Sequence, residues 1–207
     1  MTLNVICCCG MKNCGKDYQA NPYIKEGYMK ISFADSLREM LWDILGYTPN
    51  KEFDYDQFKQ SNFTAEISCK ILGFIPWIKD INITSGRKLL QNLGSVIKKW
   101  FGKDIFAKLW YNKVLEANCN VIATDIRFDY EFKKAISLSK KGYNVKFIWC
   151  CYHGADFENI LKDTHESELL AQFMYKNRKK YNLVDGEIID LKIINKILKD
   201  FNKITIK

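Results

Sequence analysis

A continuous apolar run, Leu3-Asn4-Val5-Ile6-Cys7-Cys8-Cys9, stops at Gly10 and gives way to a polar, glycine-bracketed stretch. A strand that is apolar at successive positions offers no face to water, so it belongs inside a parallel sheet covered on both sides by helices. The rest of the chain supplies the other pieces. Strand patterns recur at Tyr28–Phe33, Asn120–Thr124 and Asn144–Tyr152, with a short last strand at Asn182–Val184. Helical spacing predicts Asp17–Glu26, interrupted or ended near Asn21-Pro22, then Ala34–Leu45, Lys88–Trp100, Asp104–Ala117, Tyr130–Lys141 and Asp190–Asn202, the last capped by Asp190. Residues 50–84 read as short helices and loop, and residues 153–180 as polar and helical in places. Strands alternating with helices, without repeat or linker, predict one α/β domain over residues 1–207, in three layers around a central parallel sheet.

The segment directly after the first strand carries the sharpest chemical signal. Gly10-Met11-Lys12-Asn13-Cys14-Gly15-Lys16-Asp17 matches the phosphate-binding pattern G-x-x-x-x-G-K-[ST] except at its last position. In such a P-loop the amides of the loop and helix N-terminus surround phosphates while the lysine reaches the β and γ oxygens. Here that assigns Gly10, Lys12, Asn13, Cys14, Gly15, Lys16 and Asp17 to ATP. Asp17 replaces the hydroxyl that usually meets magnesium, but a carboxylate is also a hard oxygen donor for Mg²⁺. An ordinary glycine-rich turn is the bland alternative. The second signal is Thr124-Asp125-Ile126-Arg127 at the end of an apolar strand, where open α/β sheets bind ligands. Asp125 could orient magnesium and Arg127 could clamp a phosphate, or the two could form a structural salt bridge.

Composition narrows the field. Hydrophobic residues make up 47% of the 207 and charged residues 27%, enough for a sizeable core. No apolar run approaches the roughly 18 residues a bilayer requires, and the N-terminus lacks the basic region and cleavage site of a signal peptide. A cytoplasmic protein is expected (host cytoplasm if the source is viral). The net charge of +8 suits an anionic partner, although it equally describes a solvated lysine-rich surface. Only four of the 32 basic residues are arginine (Arg38, Arg87, Arg127 and Arg178), which marks them as candidates for bidentate phosphate recognition. The eight cysteines show no CxxC spacing and fall largely in strand-like runs, as buried thiols do. Neither helix-turn-helix, RNA-binding aromatic motif nor zinc spacing is visible, which weakens a reading as a non-catalytic basic nucleic-acid-binding protein.

The motifs together resemble the deoxynucleoside monophosphate kinases of phages and large DNA viruses, a branch of the P-loop nucleoside monophosphate kinases. The resemblance is carried by Gly15-Lys16-Asp17, by Phe33-Ala34-Asp35-Ser36-Leu37-Arg38, and by Arg87-Lys88-Leu89-Leu90-Gln91 with Gly94. Thr124-Asp125-Ile126-Arg127-Phe128 with Glu131, and His165-Glu166-Ser167-Glu168, complete it. Residues 50–83 carry little of it, and Val184-Asp185-Gly186 departs from the asparagine-rich turn of relatives. The resemblance implies a P-loop NTPase fold with a helical lid at about residues 153–180 and an acceptor-binding region at about 35–118. The implied reaction moves the γ-phosphoryl of ATP, with Mg²⁺, to a deoxynucleoside 5′-monophosphate. Relatives of this kind suggest a possible homodimer; from the composition and motifs, no stable nucleic-acid partner and no membrane are expected. Animal phosphomevalonate kinases share the Gly-Lys-Asp loop, the Asp-x-Arg strand end and a Ser-Glu pair, so a related small-molecule kinase is the alternative; the Phe-Ala-Asp and Arg-x-Leu-Leu-Gln segments favour the nucleotide.

Under that reading Lys16, Arg127 and Asp125 are the catalytic candidates, and Asp17 with Asp125 flank magnesium. Arg87 and Arg127 hold the acceptor phosphate, and Arg178, in the lid, serves ATP. Gln91 either meets the acceptor base or faces solvent, and Asp35 either touches the acceptor or caps its helix. Arg38, four residues before Trp42, reads as a surface or salt-bridge residue. His165 reads as structural, and Ser167 and Glu168 as local caps or pairs whose family match keeps a nucleotide-site role open.

Overall fold

A computed structural model describes residues 2–45, 86–151, 161 and 165–205. Residues 50–83, most of 153–164 and Cys69 therefore lie outside the described residues, and with them part of the expected lid. The chain divides into two compact units, one made of Met1–Phe33 with Ala107–Lys207 and the other of Ala34–Phe106.

The first unit is α/β. Its five strands are β1 (Asn4–Cys9), β2 (Met29–Lys30), β3 (Val121–Ile126), β4 (Asn144–Trp149) and β5 (Ile188–Ile189). They lie in the order β2-β3-β1-β4-β5. The first three pairings are parallel, with Val5 beside Val121, Asn4 beside Asn144 and Met29 beside Val121; β5 runs antiparallel to β4, Ile189 opposite Phe147. Strand β1 is central and buried throughout from Val5 to Cys9, as its unbroken apolar run requires. Its two faces feed two cores. Ile6 and Cys8 join Ile122, Ile148, Cys150 and Ala20 of α1 (Lys16–Lys25), while Val5, Cys7 and Cys9 face the larger cluster. That second cluster takes Trp110 and Val114 from α4 (Ile105–Ala117), Phe132 and Ala135 from α5 (Asp129–Ser137), and Leu170 and Met174 from α6 (Glu166–Lys176). Ile194 and Ile197 of α7 (Leu191–Thr205) complete it. Burying one such side chain contributes about 1.5–3 kcal/mol, so the alternating faces of β1 are a principal source of stability.

The second unit holds α2 (Asp35–Leu45) and α3 (Gly86–Phe101). Leu41 of α2 and Leu89 and Leu93 of α3 are buried. Gly94 permits close approach: a Cβ there would stand 3.2 Å from Leu37 Cδ2.

Two expectations need correction. Helix α1 runs unbroken through Pro22 to Lys25, although Pro22 has no amide to offer the Tyr18 carbonyl one turn upstream; the Glu26 amide still closes onto the Pro22 carbonyl at 3.1 Å. The last strand is not Asn182–Val184 but Ile188–Ile189; Asn182 takes a left-handed φ of 51° and the chain turns through Gly186 at 77° before it can pair. The sheet is thus parallel except at that edge. Among the described residues no helix is long and apolar enough to cross a membrane.

Candidate functional site

Strands β1, β3 and β4 all end on one edge of the sheet, and the chain must leave each of them there. After β1 it makes its tightest approach at Gly10. A Cβ at this position would sit 2.2 Å from the Cys150 carbonyl oxygen and 2.6 Å from Cys14 Sγ, so no side chain fits. Asn13 then adopts a left-handed φ of 59°, and Gly15, also left-handed at 83°, starts α1 without any side-chain cap. An asparagine and a glycine are the residues that tolerate such turns. The first-turn amides of α1 therefore open toward the loop, with the positive end of the helix dipole behind them.

Lys16 is folded into this loop. Its side chain is buried, and Nζ donates to the Gly10 carbonyl at 3.1 Å, to the Met11 carbonyl and to Cys14 Sγ at 3.5 Å. The loop thus wraps a cation in its own carbonyls. Asp17, the next residue, is exposed and draws donors from two strands. Its Oδ1 accepts from Lys30 Nζ at 2.7 Å and from Thr124 Oγ1 at 2.9 Å. Burial opposes ionisation of Asp17, but those hydrogen bonds and the charges of Lys30 and Lys16 outweigh it and hold the carboxyl below its usual range.

A bulge at the end of β3 sets the second cluster. Cys7 pairs with Ala123 but Cys9 pairs with Ile126, so β3 carries one extra residue across that step. The alternation slips, and Ile126 returns to the face of Val121 and Ala123 rather than that of Ile122. Thr124 reaches Asp17, while Asp125 Oδ1 accepts from the Phe33 amide at 2.9 Å and so fixes the chain after β2.

Just beyond the strand lies Arg127. Its Nη1 donates to Glu168 Oε1 and, at 3.5 Å, to Ser167 Oγ. The other oxygen of Glu168 accepts the Lys12 amide at 3.1 Å, so one buried carboxylate joins the loop after β1 to the arginine after β3. His165 caps α6: Nδ1 accepts from the Ser167 amide at 3.3 Å and lies 2.8 Å from Ser167 Oγ. Beneath Arg127, Glu131 Oε2 accepts the Arg127 and Phe128 amides at 2.6 and 3.0 Å, closing the N-terminus of α5. Burial pushes the Glu131 carboxyl up to about 8, against the pull of those two amides.

The remaining candidates have surroundings of their own. Arg178 lies over the Tyr175 ring, its Cζ 4.2 Å from the centroid, and donates to the Tyr175 carbonyl at the end of α6. Asp35, Arg87 and Gln91 belong to the second unit. Asp35 forms an ion pair with Arg38 at 2.7 Å, Arg87 sits in the first turn of α3, and Gln91 is exposed. The thiols of Cys7, Cys8, Cys9, Cys14, Cys150 and Cys151 are buried, and none is bonded to another. Burial raises Cys14, and contact with Cys8 together with burial raises Cys150, which keeps both protonated and poor nucleophiles.

Among the described residues no three His, Cys, Asp or Glu side chains converge as a metal site. Magnesium does not need such a cage, since one or two carboxylates with phosphates and water suffice. Asp17 and the adjacent Thr124 hydroxyl are suitable hard donors, and Asp125 lies one residue further on. Sequence reasoning missed the Thr124–Asp17 pair, the bridging part played by Glu168 and the buried Glu131. Two polar residues in succession at the end of an apolar strand were the available sign of the bulge. Neither family models nor curated proteins give a match to this chain.

Proposed function

We propose that this chain is an ATP-dependent kinase of the P-loop type that phosphorylates a deoxynucleoside 5′-monophosphate, giving the diphosphate and ADP. The observation that carries the reading is the loop from Gly10 to Asp17: it follows a central strand, excludes a side chain at Gly10, opens onto uncapped helix amides and holds Lys16 within it. That combination of amides, dipole and ammonium suits a polyphosphate. The Phe33-Ala34-Asp35 and Arg87-Lys88-Leu89-Leu90-Gln91 segments favour a nucleotide acceptor over other small molecules.

The chemistry asks little covalent work of the protein. A phosphate monoester has its second pKa near 6, so the acceptor is already mostly a dianion at neutral pH and needs no general base. Catalysis then reduces to alignment and neutralisation of charge. Lys16 exchanges its carbonyl partners for the β and γ oxygens of ATP, and the loop amides orient those phosphates. Arg127 receives the acceptor phosphate; Arg87 is the second arginine that the resemblance offers for it. Asp17 and the Thr124 hydroxyl would hold magnesium, with Asp125 as the second expected carboxylate, and the ion when bound would supply Lewis-acid neutralisation of the transferred group.

A coupled assay that follows ADP release, run with ATP, Mg²⁺ and each deoxynucleoside monophosphate, tests this directly. Phosphomevalonate serves as the non-nucleotide acceptor. At least one deoxynucleotide is expected to stimulate ADP release strongly, and Lys16→Ala is expected to abolish that stimulation while keeping the wild-type far-UV spectrum. Stimulation by phosphomevalonate alone would move the chain to the other kinase class. A folded Lys16→Ala protein with wild-type kinetics would refute the loop assignment.

A further inference from the structure

We infer that Glu168 is a positioning residue that fixes Arg127 relative to the Lys16 loop, with Ser167 and His165 as its support. The inference rests on the kinase reading and adds a part to the same site. Glu168 is 3% exposed, and both its oxygens are engaged: Oε1 by Arg127 Nη1 and Oε2 by the Lys12 amide at 3.1 Å. A buried carboxylate is costly unless each oxygen finds a strong donor, and here the two donors come from the ends of two different strands. One side chain on α6 therefore sets the spacing between the loop after β1 and the guanidinium after β3.

The geometry points to orientation rather than to occupation of the arginine. Among the described residues every hydrogen bond of the Arg127 guanidinium leaves from the single nitrogen Nη1, to Glu168 and to Ser167 Oγ. A guanidinium has five donors in a planar fork. Anchoring one nitrogen leaves Nε and Nη2 to face a phosphate, with the plane of the fork already chosen. The side chain is 34% exposed, so that edge remains accessible. Ser167 is itself held by His165, which caps the helix and meets its hydroxyl at 2.8 Å. The chain of support runs from helix cap to serine and glutamate, then to arginine.

If Glu168 acts through Arg127, removing its charge should damage use of the acceptor phosphate far more than use of ATP, to which it is linked only through the Lys12 amide. Glu168→Gln retains the shape but gives one acceptor for two donors. Its kcat/KM for the monophosphate is expected to fall by about 10²-fold, the scale at which a slightly misplaced binding group matters. The KM for ATP should stay within about threefold, and Arg127→Ala/Glu168→Gln should be no worse than Arg127→Ala alone. Additive losses, or a loss confined to ATP, would overturn the inference.

A readout without turnover keeps the anchor separate from the kinase reading. With only four arginines in the chain, the guanidinium ¹⁵N signals can be assigned by substitution. Arg127 in the wild type is expected to show distinct, slowly exchanging Nη signals that merge in Glu168→Gln. Unchanged signals would remove the anchor; distinct signals in a wild type inactive toward every acceptor would instead remove the kinase. Should Glu168→Gln fail to fold, Ser167→Ala takes away the second contact to the same nitrogen. It should shift the signals and the acceptor kinetics in the same direction by less, and no shift would count against the inference.

Discussion

Replacing Glu131 by glutamine should make the protein more resistant to unfolding as the pH rises, although it touches no surface charge. Glu131 is 5% exposed, beneath Arg127, and accepts two backbone amides through one oxygen. Burial raises its pKa from 4.5 to about 8. Folding then binds a proton that the unfolded chain has released. Below about pH 4.5 the group is neutral in both states and its burial is unopposed. As pH climbs from there toward 8, the stability of the native state falls by about 1.4 kcal/mol per unit, on the order of 5 kcal/mol across the window. Glutamine presents the same carbonyl oxygen to both amides and never ionises, so the variant lacks this slope. Urea unfolding of both proteins from pH 5 to 8.5, followed by tryptophan fluorescence, isolates the difference because all other titrations cancel. The curves should nearly coincide at pH 5 and separate steadily, with the variant more stable at pH 8. A constant difference across the range would refute the argument; it would mean that two amides and the Arg127 charge keep Glu131 ionised despite its burial.

Gly10→Ala should destabilise the fold by at least about 2 kcal/mol, since its Cβ would stand 2.2 Å from a backbone oxygen that cannot swing away; an unchanged melting temperature would show that the loop relaxes. Arg127→Ala and Arg87→Ala should each weaken use of the monophosphate more than use of ATP, and a selective rise in the KM for ATP would place them on the wrong substrate. Asp17→Asn should raise the Mg²⁺ concentration needed for half-maximal rate, because an amide is a poorer ligand for a hard cation. If Asp17 serves only the helix dipole, a contribution of about 0.3–1 kcal/mol, the melting temperature drops slightly and the Mg²⁺ profile stays put.

Much of this architecture is legible in residue order. The apolar stretch from Val5 to Cys9 leaves no polar face, so it had to be central, and the stripes of Leu89, Leu93 and Trp110, Val114 mark helices by their spacing. Local pattern fails where one residue changes the phase. Asn182 looks like the opening of a strand in Asn182-Leu183-Val184, yet its left-handed turn hands the pairing to Ile188 and Ile189. Partnerships between distant segments are hidden for another reason. Glu168 meets Lys12 across 156 positions and Arg127 across 41, and no propensity or spacing encodes such a contact.

The loop illustrates the difference between reading a residue type and reading its partner. By pattern, Asp17 stands where a serine or threonine is usual, which looks like a lost hydroxyl. The structure brings a threonine hydroxyl to that same carboxylate from the end of β3, Thr124 Oγ1 to Asp17 Oδ1 at 2.9 Å. Here a loop carboxylate faces a strand hydroxyl. Both groups are hard oxygen donors, the kind of ligand that magnesium takes. The charge rests on Asp17, where burial opposes it but the hydrogen bonds from Lys30 and Thr124, with the charges of Lys30 and Lys16, prevail, while Asp125 fastens the Phe33 amide. The bulge in β3, opposite Cys7–Cys9, accompanies this arrangement, in which Thr124 and Asp125 serve different neighbours. Strict alternation would have aimed Ile126 at the face of α1; instead that side chain joins the core behind the sheet. Asp17 and the irregularity in β3 therefore meet in one cluster, in which Thr124 serves the loop carboxylate and Asp125 the Phe33 amide.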